Sequence, residues 1–363
     1  MSAAVPVPSP NVKFSCRRIW KVYGASPNHF FKGAAAEYDP DALAARMRAA
    51  GCIPAAIDVS FDVHVGETFV IMGLSGSGKS TVVRCLSRLI EPDFGEVQLD
   101  GEDLLSKSGR ELIDIRRHKM GMVFQSFGLL PHLSVLENIA FPLKLQGMSR
   151  AGQLERASRV IELVGLTGRE SAYPRQLSGG QQQRVGIARS LAVEPQVWFL
   201  DEPFSALDPL IRRQMQDEFL RIQRVLRKSI VFITHDFLEA LRIADRMAIM
   251  RDGRIVQIGT PEELILAPAD DYVAQFTSEV PLIKVLRAGQ CCAPIPDRPD
   301  GLPQAAPEAK VEDLLSRLAA SPAGVDVIGQ AGRYLGTLTS ASLIQSLAAT
   351  HAEPNRQTGA QHA

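Results

Sequence analysis

The sequence predicts an α/β fold followed by a smaller α+β domain, and three observations carry that prediction. Thr68–Met72 is a short apolar run suited to a buried parallel strand; it enters the glycine-rich stretch Gly73-Leu74-Ser75-Gly76-Ser77-Gly78-Lys79-Ser80-Thr81, after which Val82, Leu86, Leu89 and Ile90 recur at helical spacing. Two further apolar runs, Val197–Leu200 and Ile230–Thr234, deliver polar residues at their ends: Asp201 and Glu202 after the first, His235 after the second. Beyond residue 310 the pattern restarts with a helical Val311–Leu318, strands Val325–Ile328 and Tyr334–Leu338 about a turn at Gly332, and a helical Ser340–Leu347.

The 363 residues are enough for two or three domains with cores of their own. Lys plus Arg and Asp plus Glu each number 40, and no long basic run occurs, so nucleic acid is not expected as a partner. The five cysteines, Cys16, Cys52, Cys85, Cys291 and Cys292, are odd in number and lack CxxC spacing, which predicts a reduced, cytosolic chain without a disulfide framework or structural zinc. The first fourteen residues do not pair a positive region with an apolar core, so no signal peptide is expected. No apolar run reaches the roughly 18–20 residues that span a bilayer, so any membrane connection runs through a partner.

In chain order, residues 1–11 are proline-punctuated and expected to be mobile. Val12–Tyr23 alternates and predicts an edge strand ending at Tyr23. Residues 24–54 interrupt the pattern as an insert. Within it Asp39-Pro40 opens and Gly51 closes a short helix, with Asp as cap, Pro in the first turn and Gly at the end. Ala55–Val65 predicts a half-buried strand turning at Gly66, and Gly95–Leu99 another strand before the Asp100-Gly101 turn. Lys119–Phe124 reads as a strand that ends in Gln125. Residues 126–173 mix loop and helix, with Leu154, Ala157, Ile161 and Val164 on one face and Gly165 as the stop. Leu177-Ser178-Gly179-Gly180-Gln181 leads into a helix through Leu191, and Ser178 with Gln181 fits a capping box. Ala248–Gly259 predicts a hairpin turning at Asp252-Gly253. Thr260-Pro261-Glu262-Glu263 opens a helix, and the first domain is expected to close near Thr277. Five prolines between 294 and 307 predict a linker, and the tail from about Thr350 is expected to be disordered.

The residue types state a chemistry. Glycines let the backbone wrap a polyphosphate with its N–H groups turned inward, and a helix start at Lys79 adds a partial positive charge. Lys79 offers a cation to the β- and γ-phosphates, and the Ser80 hydroxyl is a ligand for Mg²⁺. Carboxylates just past a buried strand need a cation or a partner. Asp201 is placed to hold Mg²⁺ and Glu202 to deprotonate an attacking water. Ser178 is also what a plain helix start requires, but two glycines there expose N–H groups that suit a phosphate. A lone His235 after a strand is usually structural; its position at the same sheet edge as the other polar groups points to the ligand.

In this order, Gly73–Thr81, Gln125, Leu177–Gln181, Leu200-Asp201-Glu202, Ser205–Asp208 and His235 resemble the nucleotide-binding subunit of an ABC transporter over residues 12 to about 277. The resemblance implies a P-loop NTPase of ABC type: a mixed central sheet with a RecA-like core, an antiparallel β subdomain, and a helical subdomain at about 126–190. It implies that Tyr23 stacks on adenine, although the insert separates it from the next strand. It implies that Gln125 senses Mg²⁺ and the γ-phosphate and connects to the permease. Ser178, Gly179, Gly180 and Gln181 are implied to contact the γ-phosphate held by the opposite subunit, Asp208 to couple the two sites, and His235 to contact the γ-phosphate.

The insert, with FVIMGLSGSGKST, MVFQSFGLLPHLSVLENIAF and FSALDPLIRRQMQDE, is similar to the glycine betaine/proline betaine (quaternary amine) importer ATPases. Residues 311–348 resemble one CBS repeat, whose partner would fall at about 280–305, where the segment is short. The expectation is therefore an ATPase with ATP and Mg²⁺ as cofactors, peripheral to the cytoplasmic face of the inner membrane. Two copies would form a homodimer on integral-membrane permease subunits served by a substrate-binding protein. Glycine betaine, choline, proline and histidine remain open as cargo. A soluble ABC ATPase acting on ribosomes or DNA, and a nucleotide-sensing regulator, are the rival readings.

Overall fold

The computed structural model describes residues 11–24, 27–31, 39–295, 299 and 301–352. The mobile start expected at 1–11 therefore lies outside the described residues except for Asn11, and the disordered tail except for its first residues. The chain divides into two compact units, 1–260 and 261–363.

The first unit is built on two sheets. β1 (Val12–Tyr23) is followed by α1 (Pro40–Ala49) of the insert, then β2 (Ile53–His64), β3 (Thr68–Met72), α2 (Lys79–Leu86), β4 (Phe94–Leu99) and β5 (Glu102–Asp103). The order β2-β1-β4-β5 makes one antiparallel sheet. β1 was expected at an edge and instead lies between β2 and β4. Alternation in a strand reports one buried face, not how many neighbours it has.

Then come α3 (Gly109–His118), β6 (Met120–Val123), α4 (Val135–Leu145), α5 (Arg150–Leu163), α6 (Gly179–Ala192), β7 (Val197–Asp201), α7 (Pro209–Leu226), β8 (Ser229–Ile233), α8 (Phe237–Ile243), β9 (Arg246–Arg251) and β10 (Arg254–Gly259). The second sheet has the order β10-β9-β3-β8-β7-β6. Its pairs are parallel except β9–β10, a hairpin, so it is mixed. Every residue of β3, β7 and β8 is buried, as expected where both faces are covered.

Residues of both sheets and of α2 share one core: Phe14, Phe61 and Val97 from the first sheet, Phe69, Phe199 and Val231 from the second, and Val82, Val83 and Leu86 from the helix. The rings of Phe61 and Phe69 stack at 4.7 Å between centroids, and Phe14 meets Phe199 edge-on at 5.5 Å. This packing holds the glycine loop between β3 and α2 against a fixed frame. α4, α5 and α6 pack on one another within the expected helical subdomain; Ser134 with Glu137 caps α4 and Ser149 caps α5. α1 starts where Asp39-Pro40 predicts, the Asp39 carboxylate accepting from the Asp41 N–H, and Gly51 follows it at φ +75°. Its Leu43, Ala44 and Met47 are buried with Trp20, Val22 and Ile57.

The second unit comprises α9 (Pro261–Leu266), α10 (Asp271–Thr277), α11 (Ala288–Cys291), β11 (Gln304–Ala305), α12 (Val311–Ala320), β12 (Val325–Ile328), β13 (Tyr334–Leu338) and α13 (Ser340–Ala352). Its sheet runs β11-β12-β13, with β11 and β12 parallel and β12 and β13 antiparallel. Val311, Leu314 and Leu318 of α12 close its core with Val325, Val327, Leu338 and Leu343. The division at Thr260 differs from the expected close near Thr277. Leu266, Leu282 and Ile283 pack on the core of the second unit, and Arg287 Nη2 pairs with Glu262 at 2.6 Å, so α9 joins the C-terminal core, with α10 packed on α9. No helix among the described residues is long and apolar enough to cross a membrane.

Candidate functional site

The parallel strands β3, β6, β7 and β8 end at one edge of the mixed sheet, where ligands of such sheets sit. They deliver there the glycine loop, Gln125, Asp201 with Glu202, and His235.

The loop is shaped by close backbone approach. Gly78 caps α2 at φ +98°, and a Cβ on it would lie 2.1 Å from the Ala55 carbonyl oxygen. Gly73, at φ +149°, passes so near Met250 that a Cβ would lie 2.2 Å from that carbonyl oxygen. The cap residue Gly78 offers no side-chain acceptor, so the first N–H groups of α2, from Gly78, Lys79, Ser80 and Thr81, are left for another acceptor. Lys79 is 5% exposed. Its Nζ donates to the carbonyls of Gly73 at 2.8 Å and Leu74 at 2.9 Å, which hold the ammonium over the loop of Ser75, Gly76 and Ser77. Burial pushes its pKa down, opposed by the carboxylates of Glu202 and Asp201. The Ser77 hydroxyl is buried inside this loop with no hydrogen-bond partner among the described residues.

Ser80 Oγ donates to Asp201 Oδ1 at 2.8 Å. Burial raises the pKa of Asp201 above the ordinary carboxylate value, and the Ser80 hydrogen bond and the Arg84 guanidinium, 3.9 Å away, act against that. A buried carboxylate held by a neutral hydroxyl is a site that a cation would relieve. The donors fit magnesium: one hydroxyl and one carboxylate oxygen, with phosphate oxygens and water to complete the shell. Among the described residues no cluster of three or more His, Cys, Asp or Glu could hold a metal, and this mode of binding needs none.

Glu202 lies at φ +47°, a conformation unfavourable for a non-glycine residue. The backbone over-determines it: its N–H donates to the Ile233 carbonyl at 3.1 Å, and its own carbonyl accepts the Ser205 hydroxyl at 3.0 Å. This aims the carboxylate at His235, whose Nδ1 is 3.2 Å from Glu202 Oε2. Gln125 is exposed just past β6.

A second cluster lies at the starts of α6 and α7. Ser178 caps α6 reciprocally with Gln181, by bonds of 3.3 and 3.0 Å. Asp208 caps α7, its carboxylate accepting from the Ile211 N–H at 3.1 Å. Gly180 packs so closely on α7 that a Cβ would lie 2.6 Å from Ile211 Cγ2; Gly179 faces Leu207 and the ring of Phe127, two residues past Gln125. No hydrogen bond among the described residues joins this cluster to Lys79, Asp201 or His235. Tyr23 is 42% exposed, with the Lys21 ammonium 5.7 Å from its ring centroid, and it lies opposite Ile53 in the β1–β2 register. Sequence reasoning missed Arg84 and the backbone of Ala55, Met250 and Gly253 behind the loop; no local pattern marks groups that arrive by tertiary packing.

A glycine loop backed by two acids and a histidine at parallel strand ends, with a serine-capped, glycine-containing start of α6 in the same unit, is the layout of a nucleoside triphosphatase. The ABC transporter family model matches residues 57–205. The trimethylamine N-oxide transport system ATP-binding protein TmoW of Ruegeria pomeroyi is 58% identical over 76% of this chain and 80% of its own length. The glycine betaine/proline betaine transport system ATP-binding protein ProV of Escherichia coli is 46% identical over 76% of this chain and 68% of its own. The chain belongs to the ABC transporter family, as an ATP-binding, ATP-hydrolysing subunit. Among solved structures, the dimeric post-hydrolysis ATP-binding cassette MJ0796 bound to ADP and Pi is 31% identical, covers 68% of this chain and 98% of its own, and superposes with a TM-score of 0.57.

Proposed function

We propose that this subunit couples ATP binding and hydrolysis to the uptake of a methylated amine, either a quaternary betaine or choline, or trimethylamine N-oxide. The similarity to TmoW over most of both chains carries this reading. The chain acts as a homodimer on the cytoplasmic face of the inner membrane, docked on permease subunits and served by a substrate-binding protein.

In this reading the N–H groups of residues 73–81 cradle the phosphates and Lys79 turns from the loop carbonyls to the β- and γ-oxygens. Ser80, Asp201 and Gln125 would hold Mg²⁺, which would neutralise negative charge on the triphosphate. Glu202 orients and deprotonates the attacking water, and its fixed backbone supports that role. His235 stands beside Glu202 and donates to the γ-phosphate as charge builds. Ser178 to Gln181 of one subunit, their glycines leaving the α6 start open, close over the γ-phosphate of the other. Asp208 lies between the two sites, and Tyr23 stacks on the base.

Uptake of labelled glycine betaine, choline and trimethylamine N-oxide by the reconstituted transporter tests the cargo. The reading expects at least one of the three to drive ATP turnover and to be lost with Lys79→Ala. Uptake of histidine or proline alone would replace it.

A further inference from the structure

The insert is the part of the first unit that the mechanism above leaves unused. Its helix α1 ends beside the phosphate loop. A polar cavity of about 600 Å³ is lined by Arg48, Cys52, Ile53, Pro54 and Gly76 and by the Asp252-Gly253 turn. That size falls within the roughly 300–1,000 Å³ typical of small-molecule sites.

Its walls are fixed. The Gly253 N–H donates to the Ser77 carbonyl at 3.0 Å, and the Ile57 N–H donates to the Gly253 carbonyl at 2.8 Å. α1 is held by its buried Leu43, Ala44 and Met47, by the Cys52 N–H on the Met47 carbonyl at 2.9 Å, and by Arg254 Nη2 on Asp41 Oδ1 at 2.9 Å. That ion pair uses Asp41 and leaves Arg48 exposed at the cavity. Gly76 belongs to both the phosphate loop and the cavity, so the cavity opens directly beside that loop. Ile53 lies opposite Tyr23, and cross-strand partners share a face, so the cavity adjoins the exposed tyrosine.

We propose that Arg48 of α1 is a nucleotide-binding residue that holds the nucleoside half of ATP, its guanidinium lying over the purine ring. A planar, weakly hydrated cation on an aromatic face suits this contact, and among the described residues no other cation lines the cavity. The inference rests on the ATP-binding reading and adds the insert to the site.

The test compares two ligands on the full chain by calorimetry: a non-hydrolysable ATP with Mg²⁺, and inorganic tripolyphosphate, which has no nucleoside. Arg48→Ala should weaken the ATP analogue about tenfold and leave tripolyphosphate unchanged, with Arg48→Lys in between. Arg46→Ala, on the same helix but away from the cavity, should change neither. Unchanged affinity for the ATP analogue in Arg48→Ala would overturn the proposal, as would equal weakening of both ligands. If the unaltered protein bound neither ligand, the ATP reading itself would fail; binding of both with an inert Arg48→Ala removes only the role of Arg48.

Discussion

Glu202 is the residue on which turnover is proposed to depend. Its carboxylate is aimed by a backbone that no other residue type would adopt more easily than glycine, so changing the head group alone is the clean perturbation. Glu202→Gln keeps the size and should leave ATP binding intact while lowering hydrolysis by about 10²–10³-fold, as loss of a pre-placed electrostatic group does. Single-turnover phosphate release measures this, and an unchanged rate would reassign the base. Asp201 gives a pH signature. Its native pKa lies above the ordinary 3.8 because burial disfavours the charge, so the native chain holds this proton more tightly than the unfolded one. This group's contribution to stability is therefore full below pH 3.8 and declines as pH rises through the raised native value. Mg²⁺ needs the ionised form, so the magnesium dependence of nucleotide binding should fade on acidification through that window. Asp201→Asn should remove both the dependence and its pH profile. These residues were legible in the sequence because loop, acids and histidine each follow a strand in the local chain. Arg84 and Arg48 were not, since their proximity is made by packing.

At the scale of elements, the starts of α6 and α7 combine a structural and a proposed functional duty. Asp208 caps α7, so Asp208→Ala should cost about 1 kcal/mol of stability, seen as a lower melting temperature. Asp208→Asn keeps a capping acceptor, and should melt normally while lowering ATP turnover if the residue couples two sites. A normal turnover rate in Asp208→Asn would leave it a cap alone. Gly180→Ala would drive a methyl into Ile211 Cγ2 and lever α6 away from α7. It should impair hydrolysis while sparing nucleotide affinity, which depends on the separate cradle. Helix starts were readable from Ser178–Gln181 and Asp39-Pro40, because capping is chemistry within four residues. The interior place of β1 was not, because its neighbours β2 and β4 are chosen by the fold.

For the whole molecule, the two units set the expected division of labour. The sequence showed where helices begin at Thr260–Glu263, but not which core would receive them; Leu266 and Leu282 settle on the second. The CBS-like repeat over residues 311–348 is a proposal, and a sensing role for it predicts that removing residues 261–363 abolishes osmotic control of transport. Unchanged control would end that role. The central claim is a nucleotide clamped between the cradle of one copy and the serine-capped, glycine-containing start of α6 of the other. Light scattering of Glu202→Gln with and without ATP and Mg²⁺ tests it most directly. The account predicts one subunit's mass without nucleotide and twice that mass with it; a chain that stays at one subunit's mass with saturating ATP, both alone and on its permease, would contradict it.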